Sequence, residues 1–169
     1  MSEINFDNYS DDYNEVLAKS IGFVAGSGRD FFDNFKINCI EALFSVKSQY
    51  SILDFGCGIG NLSVLLAKKF PVSKIYGYDV SEKSLLAAQK RNENIRNLFF
   101  INDISADQKY DIILGANVFH HVKKNERGST LKKLMELLQP GGAIVIIEHN
   151  PYNPLTRYIV KRCPFDADA

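Results

Sequence analysis

The run Ile52-Leu53-Asp54-Phe55-Gly56-Cys57-Gly58-Ile59-Gly60 constrains the fold of this chain more than any other stretch. An apolar segment ends on an acidic residue and breaks into glycines at 56, 58 and 60. Without a Cβ, glycine lets the backbone turn sharply and lets a ligand approach it closely. The segment that follows carries Leu62, Leu65, Leu66 and Phe70 at helical spacing. The first N–H groups and the positive dipole end of that helix would face the same turn. A buried strand, a glycine turn and a helix N-terminus together make a nucleotide-cofactor site.

Spacing selects the cofactor. The dinucleotide fingerprint G-x-G-x-x-G, begun at Gly56, would need glycine at position 61, which is Asn61. The run fits D-x-G-x-G-x-G instead, with Asp54 in the acidic place. A carboxylate there would repel a pyrophosphate but suit a ligand carrying an ammonium and a sulfonium. With this motif the chain resembles the class I S-adenosylmethionine-dependent methyltransferases that act on small molecules. A nicotinamide oxidoreductase is disfavoured by Asn61.

Downstream, short apolar runs alternate with amphipathic segments. Strands are predicted over residues 51–54, 74–79, 98–101, 110–116 and 143–148. Ser81 can cap the helix carrying Leu85, Leu86 and Ala88. Leu131, Leu134, Met135 and Leu138 predict another helix, ended by Pro140-Gly141-Gly142. Continuously apolar strands between helices predict an α/β fold, a parallel sheet covered on both faces. Right-handed crossovers bring the C-terminal ends of the strands to one rim, where ligands bind. The resemblance adds that the sheet is Rossmann-like with strand order 3-2-1-4-5. It also implies that residues 1–48 form an N-terminal helical lid and residues 49–169 the cofactor-binding domain. Residues 29–46 read as helical, with Phe32, Phe35, Cys39, Leu43 and Phe44 near one side. Tyr9, Tyr13, Arg29 and Lys36 are candidate ligand contacts from this lid. The family normally closes with an antiparallel hairpin, which the residues after Glu148 do not resemble. The expectation is a C-terminally truncated domain that binds cofactor but lacks part of its acceptor pocket.

The candidate site residues all lie at the predicted rim. Asp79 stands at the end of the second strand, next to Val80, about 20 residues beyond the glycines, where an acidic side chain accepts ribose hydroxyls. The resemblance assigns Asp79 that role and gives Asn102-Asp103-Ile104, after the third strand, to the adenine: Asp103 accepts from its amino group and Ile104 packs on the ring. Asp54, Gly56, Cys57, Gly58 and Gly60 are the expected cradle, and residues 117–121 resemble the N-x-x-H-H stretch of small-molecule methyltransferases, which implies that the backbone of Asn117 and Val118 lines the methionine end. His149 and His121 are candidate proton acceptors, because imidazole titrates near neutral pH. Adjacent His120 and His121 would diverge by about 100° on a helix, and no His/Cys/carboxylate partner set at ligand spacing is visible, so no metal is expected. Asn150-Pro151-Tyr152 is similar to a motif of nucleic-acid amino-methylating enzymes, but that motif belongs after the fourth strand.

Composition bounds the partners. The formal net charge is zero with a pI near 6.8, so no nucleic acid or anionic membrane is expected as a partner. Cys39, Cys57 and Cys163 form no C-x-x-C pair, which argues against a disulfide framework or a structural zinc site and for a reducing, cytoplasmic setting. The N-terminus is polar and acidic, unlike a signal peptide. The expected activity is methyl transfer from S-adenosylmethionine to a small-molecule acceptor, leaving S-adenosylhomocysteine. The alternative is a cofactor-binding regulatory module without catalysis.

Overall fold

A computed structural model of the chain describes residues 28–150 and 152–161. In chain order the elements are α1 (Gly28–Leu43), β1 (Ser51–Phe55), α2 (Asn61–Lys69), β2 (Lys74–Tyr78) and α3 (Glu82–Arg91). They continue with β3 (Leu98–Ile101), β4 (Tyr110–Ala116), α4 (Arg127–Glu136), β5 (Leu138–Ile147) and α5 (Pro154–Val160). The strands form one sheet of order β3-β2-β1-β4-β5, every neighbouring pair parallel. The predicted fold class and strand order are therefore those observed.

Strand periodicity distributes the core. Along β1, Ile52 faces one side and Leu53 the other; along β4, Ile112 and Leu114 oppose Ile113. The first side packs on Ile37 and Ile40 of α1 and on Leu62, Leu66 and Ala67 of α2. The second packs on Leu134 of α4 and on Leu137. Burying each large aliphatic side chain contributes roughly 1.5–3 kcal/mol, so a sheet covered on both sides can hold a rim of polar loops. Two caps fix helix ends near that core. Ser81 Oγ accepts the N–H of Ser84 at 3.1 Å, as expected for α3. The Asn97 amide donates to the carbonyls of Ala67 and Ser73 at 3.0 and 3.1 Å, closing the end of α2.

Three local expectations change. The buried face of α1 is Asp33, Ile37 and Ile40, whereas Phe32, Phe35 and Leu43 are exposed. Positions 33, 37 and 40 keep the four- and three-residue spacing of one stripe, which outweighs the number of aromatics. α4 stops at Glu136, so Leu138 belongs to β5, and Met135 is exposed. Pro140-Gly141-Gly142 does not end a helix but bulges within β5. The register passes from Tyr110↔Leu138 to Ile112↔Ala143, so residues 139–142 stand opposite Asp111 alone. Proline has no N–H for the ladder, and Gly141 takes φ +82°, so this tripeptide suits a bulge.

Candidate active site

β1 lies between β2 and β4, and its C-terminal end opens into the glycine turn. Gly56, Gly58 and Gly60 take φ +75°, +54° and +80°, the left-handed region that favours glycine. The N–H groups of Gly56 and Cys57 both donate to the carbonyl of Tyr78, at 2.8 and 2.9 Å, which ties the turn to the end of β2. The three glycines differ in what surrounds them. A Cβ on Gly56 would lie 2.5 Å from Val118 Cγ2, and one on Gly60 would lie 2.6 Å from Phe100 Cζ. Among the described residues, a Cβ on Gly58 would meet nothing within 4 Å. Gly56 and Gly60 thus permit close packing, and Gly58 faces the open space of the rim.

Two carboxylates flank this turn in different environments. Asp79 Oδ2 accepts the N–H of Gly58 at 2.7 Å, and Oδ1 accepts the N–H of Ser81 at 2.9 Å. Asp54 lies beneath the turn, only 2% exposed, and its Oδ2 accepts the Ser63 hydroxyl at 2.5 Å. Burial pushes the Asp54 carboxyl up to about 6, against the lowering effects of the Ser63 hydrogen bond and the Lys36 charge. Lys36 pairs with Asp33 at 3.1 Å, so α1 brings both charges close to the cradle. Burial, with the Asp54 and Asp79 charges, also pushes the Cys57 thiol well up and keeps it protonated.

Val80 is exposed beside Asp79. Asn102 and Asp103 are exposed at the end of β3, and Ile104 is partly buried against the Leu53 cluster. Among the other expected lid contacts, Tyr9, Tyr13 and the Arg29 side chain lie outside the described residues.

The β4 and β5 rim loops lock together. Asn117 takes φ +57°, and its N–H donates to the Ile147 carbonyl at 2.8 Å. Glu148 Oε1 accepts the N–H groups of Val118 and Phe119 at 3.0 and 2.8 Å, while Oε2 meets His120 Nδ1 at 2.6 Å. Burial alone would raise the Glu148 carboxyl. The hydrogen bond and charge of His120 and the two backbone donors outweigh it and hold Glu148 below its ordinary value. Arg127 donates to the carbonyls of Val122 and His120 at 2.9 and 3.2 Å, which fixes the far side of the turn. Residues 117–122 are turns and bends rather than helix, so His120 and His121 are not set apart by a helical step. Their ring centroids are 4.0 Å apart, and that of His149 is 4.7 Å from that of His120. The three histidines of the chain thus form one group around Glu148.

Sequence reasoning identified His149 and His121 but missed Glu148 and His120. Strand register was the available signal: the pairing Ala116↔Ile147 places residues 117–120 alongside 148–149.

A glycine turn at the β1 rim, an acid at the β2 rim and this strand order define a Rossmann-like cofactor-binding domain. The sequence pattern of the methyltransferase domain family matches residues 53–144, more than half of the chain, and the chain belongs to that family. The malonyl-[acyl-carrier protein] O-methyltransferase of Priestia megaterium is 34% identical over 102 residues, covering 59% of this chain and 36% of that protein. The trans-aconitate 2-methyltransferase of Variovorax paradoxus is 32% identical over 122 residues, covering 68% of this chain and 46% of that protein. The chain therefore spans less than half the length of either relative. The plantazolicin methyltransferase, solved in complex with S-adenosylhomocysteine, shares the fold with a TM-score of 0.65 at 21% identity, over 95% of this chain and 67% of that one. No helix among the described residues is long and apolar enough to cross a membrane.

Proposed function

We propose that the chain is an S-adenosylmethionine-dependent methyltransferase that acts on a small-molecule acceptor in a cytoplasmic setting. Family membership supports the class of reaction. The observation that carries the cofactor assignment is Gly58: a left-handed glycine facing open space, held by the Asp79 carboxylate at the switch point of the sheet. Residues 49–169 are the cofactor-binding domain in this reading, and residues 1–48 the lid segment, whose helix α1 also packs Ile37 and Ile40 into the core of that domain. Family membership, with a fold neighbour solved in complex with S-adenosylhomocysteine, supports the same cofactor here.

When bound, the cofactor supplies a methyl group activated by positive sulfur, which a nucleophilic atom of the acceptor takes by in-line displacement. The chain's own residues bind, orient and exclude water. Asp79 receives the ribose hydroxyls, Asn102, Asp103 and Ile104 the adenine, and the backbone of Asn117 and Val118 the methionine end. An acceptor that must lose a proton gives it to an imidazole of the rim group, His149 or His121. Incubating the chain with methyl-labelled cofactor and a panel of carboxylic acids, alcohols and amines tests the reaction. Label in an acceptor, with equimolar S-adenosylhomocysteine released, is the expected result. Tight cofactor binding with no transfer to any class would favour the regulatory alternative.

A further inference from the structure

We propose that His120, Glu148 and His149 form a site for a divalent transition metal, zinc being the best match. Their ligand atoms all lie within 4.8 Å of one another. Zinc–nitrogen and zinc–oxygen bonds of about 2.0–2.2 Å place tetrahedral ligands roughly 3.4 Å apart, so small side-chain rotations close the set. Two imidazoles and one carboxylate, with a fourth position open, is the ligand set of a catalytic zinc centre rather than a structural one.

The surroundings support the assignment independently of the distances. A metal-binding carboxylate is normally held by further hydrogen bonds. Glu148 is held by the N–H groups of Val118 and Phe119. Arg127 pins the carbonyls of His120 and Val122, so the loop keeps its shape without an ion. His120 Nδ1 and Glu148 Oε2 lie 2.6 Å apart, so two of the three ligand groups already converge on one spot. Local spacing hides the set, since Glu148 is 28 positions from His120.

The role of the ion rests on the methyl-transfer reading, whereas its binding does not. Beside the cofactor cradle, the open position would hold an acceptor oxygen and make its proton easier to lose. His149 is then a ligand, and the acceptor proton passes to His121.

Titration of the tag-free, chelator-stripped chain with Co2+ tests the site. The expected result is one equivalent bound, with the intense visible bands of tetrahedral cobalt, displaced by Zn2+ and accompanied by proton release. His120→Asn, Glu148→Gln and His149→Asn should each weaken binding tenfold or more, and His121→Asn should not. Where Glu148→Gln fails to fold, His149→Asn decides. A pale octahedral spectrum, or unchanged affinity in His149→Asn, would overturn the proposal. S-adenosylhomocysteine titrated into the same samples separates the two readings. Cofactor binding without tetrahedral cobalt removes only the metal site, and tetrahedral cobalt without cofactor binding removes only the methyl-transfer role.

Discussion

Asp79 reaches back across the rim to Gly58, accepting its N–H at 2.7 Å, so the acid at the end of β2 positions the cradle glycine that faces open space among the described residues. The same carboxylate is the group proposed to receive the ribose. Hydrogen bonds to a charged group contribute about 1.5–3 kcal/mol each. Asp79→Ala should therefore weaken S-adenosylhomocysteine binding at least tenfold, because it loses the ribose contact and frees the turn. Calorimetry on both forms checks this, and equal dissociation constants would reduce Asp79 to a helix-entry residue.

The glycines should separate by role. A side chain on Gly56 meets Val118 at 2.5 Å, and a core this tight resists added volume by about 1–3 kcal/mol. Gly56→Ala should lower the unfolding free energy by at least that much. Gly58→Val adds its bulk to open space at φ +54°. It should keep the native circular dichroism and lose cofactor binding. Normal affinity in folded Gly58→Val would refute the assignment of Gly58 to the cradle.

Asp54 predicts a pH effect of definite sign. Its carboxyl titrates at about 6 in the folded chain against an ordinary 3.8, because of burial. Between those values the folded form holds more protons than the unfolded, so this residue's contribution to stability falls as pH rises through the window. The full swing is roughly 3 kcal/mol. In urea titrations without ligand, the unfolding free energy of the wild type minus that of Asp54→Asn should fall between pH 4 and pH 7. A flat difference would mean that Asp54 is not raised.

The sheet was legible because each strand is a short apolar run and the glycine turn is local. Asp79 and Ser81 were legible for the same reason, since a strand end followed by a cap is written in adjacent residues. α1 was misread because the count of Phe32, Phe35 and Leu43 hid the narrower stripe through Asp33, Ile37 and Ile40. The β5 bulge was hidden because Pro-Gly-Gly serves a helix end or a bulge equally well, and the register against Asp111 decides. Glu148 and His120 escaped because their contact is made between the loops that follow β4 and β5, 28 positions apart.

The most direct measurement is calorimetric titration of the chain with S-adenosylhomocysteine and, separately, with NAD. The D-x-G-x-G-x-G turn with Gly58 open and Asp79 at the β2 rim predicts saturable heat at one site with S-adenosylhomocysteine and none with NAD. Saturable binding of NAD alone would contradict the cofactor assignment and the function built on it.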